Sequence, residues 1–143
     1  MDAKASAFQL KEYKIQKMVI NAPGENVTPE TTTLLYFANC DVTRSDHGWT
    51  GNIAIGLKIA PKDEADTTLL ETVIVGTFMD GSDDTPENKE RFEKLLKLSG
   101  ATTLIPIARA AACSAVSIMG YHGKLIIPNI NVYTLNWNEQ QSE

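Results

Sequence analysis

The first half of the chain alternates between apolar and polar side chains, the pattern of β-strands that bury one face. Apolar residues occupy every second position from Leu34 to Val42, and a similar alternation resumes from Trp49 to Ile59. Turn-forming residues at 44–48 separate these two runs. Two alternating runs joined by a short loop that contains glycine predict a β-hairpin.

Two further segments are predicted to be extended. Leu69–Phe78 is a third apolar run, rich in β-branched residues, whereas Phe8–Ile20 is a weaker strand whose apolar phase shifts twice. Such shifts indicate bulges or a bend in the strand. Residues 22–29 contain two prolines and a glycine, so we predict a crossover loop there and not a tight hairpin.

The apolar period changes to that of a helix after Phe78. Thr85 and Pro86 form a typical helix start, in which a side-chain cap is followed by proline at the first helical position. One apolar face is then formed by Phe92, Leu95 and Leu96. We predict a short, partly solvated helix that ends near Gly100.

A second, longer helix is predicted from Leu104 to Met119, with Pro106 in its first turn and Gly120 as its stop. At about 100° per residue, one stripe consists of Leu104, Ile107, Ala108, Ala111, Ala115 and Ile118. The opposite arc carries Arg109, Ala110, Cys113, Ser114 and Ser117. Because a helix without a solvated side is normally buried on both sides, we expect the sheet to cover the stripe and a second subunit to cover the arc, in a homo-oligomer.

Charge is scarce in the last third of the chain. The protein has 13 Lys and Arg against 18 Asp and Glu, a net charge of −5, which is the wrong sign for a general binder of nucleic acid or anionic membranes. From residue 98 to residue 138 the only charged side chains are Arg109 and Lys124. We expect no membrane insertion, because Arg109 and the glycines and proline after residue 119 interrupt this stretch before about 20 apolar residues accumulate.

No arrangement of residues predicts a catalytic or metal site. His47 and His122 are the only histidines, and neither has neighbours at metal-ligand spacing. Cys40 and Cys113 lie far apart, which favours a reducing cytosol over a disulfide framework. The N-terminal residues do not have the pattern of a secretory signal. We therefore expect a cytoplasmic protein of one domain, residues 1–143, that is not an enzyme and needs no metal or cofactor.

With no catalytic or metal site predicted, the remaining functional signal in the sequence is its content of aromatic and other apolar residues. Aromatic residues are spread over the strands and their flanking loops: Tyr36, Phe37, Trp49, Phe78, Tyr121, Tyr133 and Trp137. A single chain of 143 residues would have difficulty burying all of them. An exposed apolar patch on a soluble protein usually marks an interaction site.

Several motifs together resemble the SecB family of protein-export chaperones. The helix start Leu104–Arg109 (Leu-Ile-Pro-Ile-Ala-Arg) is close to the Leu-Phe-Pro-Tyr-Ala-Arg of that family, and Gly120 ends the helix as in the family. Leu125–Asn131 resembles the segment that follows the family's helix, and Phe8–Leu10 and Asn21–Pro23 resemble the two ends of its first strand. The resemblance covers nearly the whole chain.

The resemblance implies an α+β protomer, with a four-stranded antiparallel sheet and a long helix packed on it and between protomers, usually in a tetramer built from two dimers. Members of the family are ATP-independent holdases, which keep unfolded polypeptides, often preproteins destined for export, from folding or aggregating. Their clients lie in apolar grooves next to the sheet. We expect the groove of this chain to include Tyr36, Trp49, Phe78, Tyr121 and Trp137.

The resemblance also implies a docking face for the motor SecA on the outer side of the sheet. Leu69 and Glu71 occupy the equivalent positions on the last strand, but Lys17 and Asn21 replace the family's acids on the first strand. The C-terminal region is short and Asn-rich where the family has a second helix. An alternative is therefore a dedicated chaperone for one client, such as an antitoxin, without motor docking. A third hypothesis, an enzyme or small-ligand carrier, rests on the two histidines alone.

Overall fold

Four long strands and one long helical segment make up most of the chain that the computed structural model describes, residues 7–21, 27–64, 66–118 and 125–138. The strands are β1 (Phe8–Ile20), β2 (Thr32–Ser45), β3 (Gly48–Pro61) and β4 (Leu70–Asp80). They form an antiparallel sheet in the order β1-β4-β3-β2, which confirms the expected α+β fold. A two-residue strand that the sequence did not predict, β5 (Trp137–Asn138), pairs in parallel with β2.

The predicted hairpin is formed by β2 and β3, which pair along their whole length. Its turn is shorter than the sequence indicated: Ser45 pairs with Gly48, so only Asp46 and His47 lie between the strands. Gly48 has a φ angle of +127°, and a Cβ atom on it would lie 2.3 Å from the backbone oxygen of Asp80. Glycine is required here, and it allows the tight connection.

The first strand pairs with β4 and contains the predicted irregularities. Its register against β4 shifts between Leu10 and Glu12, and again between Ile15 and Lys17. An extra residue at each shift turns the following side chains to the other face, which explains the two changes of apolar phase in the sequence. Because β1 and β2 lie on opposite sides of the β4–β3 pair, they are connected by a crossover, as predicted.

The helical segment begins where the sequence predicted it. Thr85 caps α1 (Pro86–Leu95): its Oγ1 atom accepts a hydrogen bond from the backbone N–H of Asn88, with 3.1 Å between donor and acceptor. Proline stands at the first helical position, where its missing N–H costs no intrahelical bond. Phe92 is the buried residue of α1 and packs its ring near that of Phe8, with 5.7 Å between the centroids.

The predicted end of this helix near Gly100 is wrong. A π-helical turn (Leu96–Gly100) connects α1 to α2 (Ala101–Ile118), and the result is one continuous helix of 33 residues. Gly100 is buried, and a Cβ atom on it would lie 3.2 Å from Cδ1 of Ile53 on β3. The glycine therefore permits a close approach of helix and sheet instead of ending the helix. Pro106 consequently lies inside α2 and not in the first turn of a separate helix.

The core lies between the sheet and the helix. β3 and β4 are the central strands, and their side chains that face the helix are buried. Among the described residues, the largest fully buried apolar side chains are Phe78, Phe92, Ile53, Ile55, Leu57, Ile59, Ile74, Leu96 and Leu104. Each contributes roughly 1.5–3 kcal/mol relative to an exposed position, so this layer fixes the helix on the sheet.

The buried stripe of α2 differs in part from the predicted one. Leu104 and Ala108 are buried as expected, but Ile118 is 86% exposed. From Leu104 onwards the buried positions are Leu104, Ile105, Ala108, Ala112 and Val116. Val116 belongs to a cluster that includes Ile127, a residue outside the helix and the four strands. The buried face of α2 is therefore set in part by a segment that follows the helix, and the spacing of apolar residues within the helix does not predict that contact.

Candidate functional site

Two of the aromatic residues expected in a client groove lie in the core. Trp49 on β3 is 4% exposed and Phe78 on β4 is 1% exposed. The ring of Phe78 stacks on that of Phe8, with 5.0 Å between the centroids. Both belong to central strands and are buried within the single chain, and the indole N–H of Trp49 donates to the carbonyl oxygen of Asp83 at 3.3 Å. Their place in a client groove stays a prediction, which this burial disfavours. The presence of an aromatic residue in the sequence indicates a large apolar side chain, but it does not show whether the folded chain buries that side chain.

Tyr36 and Trp137 come together at the β2 edge of the sheet. Both are partly buried and pack against the main core cluster. Trp137 pairs with Ala38 in the parallel ladder between β5 and β2, and the hydroxyl oxygen of Tyr36 lies 3.2 Å from Oγ1 of Thr134. The remaining predicted groove residue, Tyr121, falls outside the described residues.

The last described segment, residues 125–138, reaches this edge, and we call it the C-terminal strap. Its first part is held by backbone bonds: the N–H of Ile126 donates to the carbonyl oxygen of Val27 at 2.9 Å. Arg109 on α2 donates from Nη2 to the carbonyl oxygen of Pro128 at 3.4 Å. The last part of the strap forms a 3₁₀ turn and then β5.

Apolar side chains of β2 and of the strap pack against the same core cluster, and we call this set the seam. From β2 the seam includes Leu34, Tyr36, Cys40 and Val42. From the strap it includes Ile130, Val132, Leu135 and Trp137. The β2 members are separated by two or four residues and therefore face the same side of the sheet. Leu135 is the most deeply placed strap residue of the set, at 6% exposure.

The predicted motor-docking positions lie where β1 and β4 pair. Glu71 forms an ion pair with Lys17, and their side chains are 19% and 54% exposed. The backbone N–H of Asn21 donates to the carbonyl oxygen of Leu69 at 2.9 Å, and its side-chain amide donates to the carbonyl oxygen of Thr68. Lys17 therefore contacts the predicted docking residue Glu71. Asn21 contacts the predicted docking residue Leu69 and its neighbour Thr68.

The arc of α2 predicted to meet another subunit is largely uncovered in the single chain. Its exposed members are Ala110, Cys113, Ser114 and Ser117. Arg109 is partly buried, and its Nε atom is buried without a hydrogen-bond partner in the described part of the chain. By length and composition the continuous helix could also cross a membrane, and most of its apolar window is not buried inside this chain. Core helices of soluble proteins share this length and composition, so the expectation of no membrane insertion stays a prediction.

The polar residues considered for chemistry are dispersed. Among the residues that the structure describes, no group of three His, Cys, Asp or Glu side chains could hold a metal ion. His47 is exposed in the turn between β2 and β3, and His122 lies outside the described residues. Cys113 is exposed and Cys40 is partly buried. The side chains that the fold gathers at the β2 edge are the partly or fully buried apolar ones of the seam.

Comparison with known proteins bears on the fold. No protein-family profile and no curated protein sequence matches the chain. Among solved structures, it is similar to the SecB-like chaperone Rv1957 of Mycobacterium tuberculosis, solved in complex with a ChAD peptide from the Rv1956 HigA1 antitoxin. The TM-score is 0.54 at 14% sequence identity, and the match covers 87% of this chain and 92% of the other. This chain therefore has the fold of the SecB-like chaperones, as its helix-start and post-helix motifs indicated.

Proposed function

We propose that this protein is an ATP-independent holdase chaperone that binds extended, apolar segments of unfolded polypeptides in the cytoplasm. The observation that carries the proposal is the seam, the set of partly or fully buried apolar side chains that β2 and the strap place at the sheet edge, with Tyr36 among those of β2. The SecB-like fold supports it, as does the peptide bound to the structural neighbour. A holdase needs no catalytic group, since burial of client apolar area supplies roughly 25 cal/mol per Å².

The charge of the protein adds a preference among clients. Its net charge of −5 attracts basic polypeptides over long distances and repels acidic ones. We therefore propose that the preferred clients combine apolar residues with a net positive charge. Raising the ionic strength should weaken this preference, because salt screens interactions between exposed charges.

We further propose that the chain works as a homo-oligomer, a dimer or a tetramer. The exposed arc of α2, which includes Ala110, Cys113, Ser114 and Ser117, supports this. Small side chains allow a second helix to approach closely, and a partner subunit would cover a helix face that carries no Lys or Glu. A partner subunit on this face would also bury the apolar stretch of the long helix that the single chain leaves uncovered, so no membrane is needed to cover it.

A second candidate is a dedicated chaperone for a particular client, such as an antitoxin, that does not dock on the export motor. The ion pair between Lys17 and Glu71 favours it. The acid that the SecB resemblance assigns to SecA docking is engaged by a lysine of the same chain. This ion pair disfavours the other version of the proposal, in which preproteins are exported through SecA and Leu69 and Glu71 are the contacts.

The test is suppression of aggregation. A chemically denatured client is diluted into buffer without nucleotide, with and without a stoichiometric amount of the protein, and light scattering is followed. The expected result is that the protein suppresses scattering, and failure to do so would remove the holdase proposal. The double variant with His47→Ala and His122→Ala should act like the wild type. Loss of activity in that variant would instead favour the enzyme or ligand-carrier hypothesis.

The same assay separates the two versions of the proposal. A panel of unrelated denatured clients is compared with an antitoxin-derived client, and SecA binding is measured by pull-down. Broad capture together with strong SecA binding would establish a general export chaperone. Capture restricted to one client, without SecA binding, would establish the dedicated version.

A further inference from the structure

The edge of β2 is a long strand edge with little strand pairing. On one side β2 pairs with β3 along all of its 14 residues. On the other side, within the described residues, its strand ladder is limited to Ala38 and Asn39, which pair with β5. An edge strand of this kind is a template for the addition of another extended segment, in which backbone bonds give affinity and alternate side chains enter pockets.

The chain's own strap already shows which chemistry fits this edge. From Leu125 to Asn138 the strap has no charged side chain, and its apolar residues are interspersed with asparagines. Two of its residues pair with β2 as a strand, and its apolar side chains join those of β2 in the seam. The strap thus combines backbone pairing and apolar contacts in the way expected for an extended, uncharged client segment.

The two parts of the strap are held differently. The part before Asn131 is fixed by the Ile126–Val27 backbone bond and by the contact of Arg109 with Pro128. The part from Asn131 onwards is held by a parallel ladder of two residue pairs, by the Tyr36–Thr134 contact and by the burial of Leu135. The strand pairing of this last part is limited to Ala38 with Trp137 and Asn39 with Asn138, so a client segment that pairs with β2 has only these two residue pairs to replace at the edge.

We infer that the last part of the strap, residues 131–138, occupies the place where an extended client segment adds to the edge of β2, and that a client displaces it. This inference rests on the proposed function and concerns the mechanism of the same site. The client takes over the backbone pairing at Ala38 and Asn39 and places an apolar side chain where Leu135 lies. The strap lowers the apparent client affinity, because only the fraction of molecules with an open strap can bind.

A reversible covalent lock tests the inference in the full chain. Asn39 and Asn138 are paired across the β2–β5 ladder, so both are changed to cysteine in a background with Cys40→Ala and Cys113→Ser. Client binding is measured with a fluorescein-labelled, chemically denatured protein, in the oxidised form and after reduction. We expect the oxidised form to bind about tenfold more weakly, and reduction to restore binding. Equal binding by the oxidised and reduced forms would overturn the inference.

Two single variants give the opposite test. Trp137→Ser removes the aromatic side chain of β5 and should loosen the strap, which makes client binding about threefold tighter. Tyr133→Ser is the matched control: Tyr133 lies in the same part of the strap but is 80% exposed, so its loss should leave binding unchanged. Weaker client binding by Trp137→Ser would overturn the inference. If the unmodified protein fails to bind denatured clients at all, the proposed function itself fails. If it binds them and the disulfide between positions 39 and 138 has no effect on binding, only the inference about the strap fails.

Discussion

Lys17 on β1 and Glu71 on β4 form an ion pair across two neighbouring strands of the sheet. Glu71 is the acid that the SecB resemblance assigns to motor docking, and Lys17 stands where that family has an acid. The side chain of Glu71 is only 19% exposed, while that of Lys17 is 54% exposed. A partner approaching this position therefore meets a lysine first, and the negative charge behind it is neutralised.

Reversing the charge of Lys17 should create the missing docking feature. Lys17→Glu places two acids side by side, and we expect it to bind SecA measurably in isothermal titration calorimetry, whereas the wild type does not. Replacing an exposed attraction by a repulsion should lower the free energy of unfolding by about 1 kcal/mol. Lys14→Glu makes the same charge change at another exposed position of β1 and should not gain binding. Wild-type binding as tight as that of Lys17→Glu would contradict this prediction.

A charge placed on the exposed arc of α2 should dissociate the oligomer. Ser114→Lys introduces a long charged side chain where we propose that a second helix approaches closely, and burying an unpaired charge is costly. We expect the mass measured by light scattering after gel filtration to fall to that of a smaller species. Ser45→Lys, at an exposed serine at the end of β2, should keep the wild-type mass. A wild type that is strictly monomeric would contradict the interface assigned to the arc.

The strands could be predicted from the sequence more accurately than the contacts between the helix and the sheet. The alternation of β2 and β3 and the phase shifts of β1 are local consequences of burying one face, and both are present in the structure. Glycine commonly ends helices, so the local sequence predicts a stop at Gly100, but in the structure this glycine leaves room for the side chain of Ile53 beside a continuous helix. That role depends on a strand nearly fifty residues away, which the local sequence does not reveal.

The candidate site could be predicted only in part for the same reason. Trp49 and Tyr36 are both aromatic residues on neighbouring strands, yet one is in the core and the other is at the edge. The strand order decides between them, because central strands are covered by the helix and the edge is left to the strap. The pairing of β5 with β2 involves two residues, too few to produce a periodic signal.

A buried hydroxyl group offers a test of the packing between sheet and helix. Thr72 on β4 is fully buried, and its Oγ1 atom has no hydrogen-bond partner in the described part of the chain. Thr72→Val keeps the shape and removes this unpaired group, so we expect it to raise the free energy of unfolding in urea by about 1 kcal/mol. Thr77→Val on the same strand removes a hydroxyl that donates to Asn52 Oδ1 at 2.7 Å and should destabilise the protein. A destabilising Thr72→Val would show that the hydroxyl is paired in solution.

The two tryptophans allow strap displacement to be observed directly. Trp49 is buried in the core, whereas Trp137 is partly buried on β5 with the ammonium group of Lys97 5.9 Å from its ring centroid. A Trp49→Phe variant therefore reports on the strap, and a Trp137→Phe variant reports on the core. If a client displaces the strap, the indole of Trp137 enters water. Its emission should then shift to longer wavelength as a denatured, tryptophan-free client is added, while the emission of Trp49 stays constant. A shift confined to the Trp49 signal would mean that the client opens the core and leaves the strap in place, in conflict with the displacement mechanism.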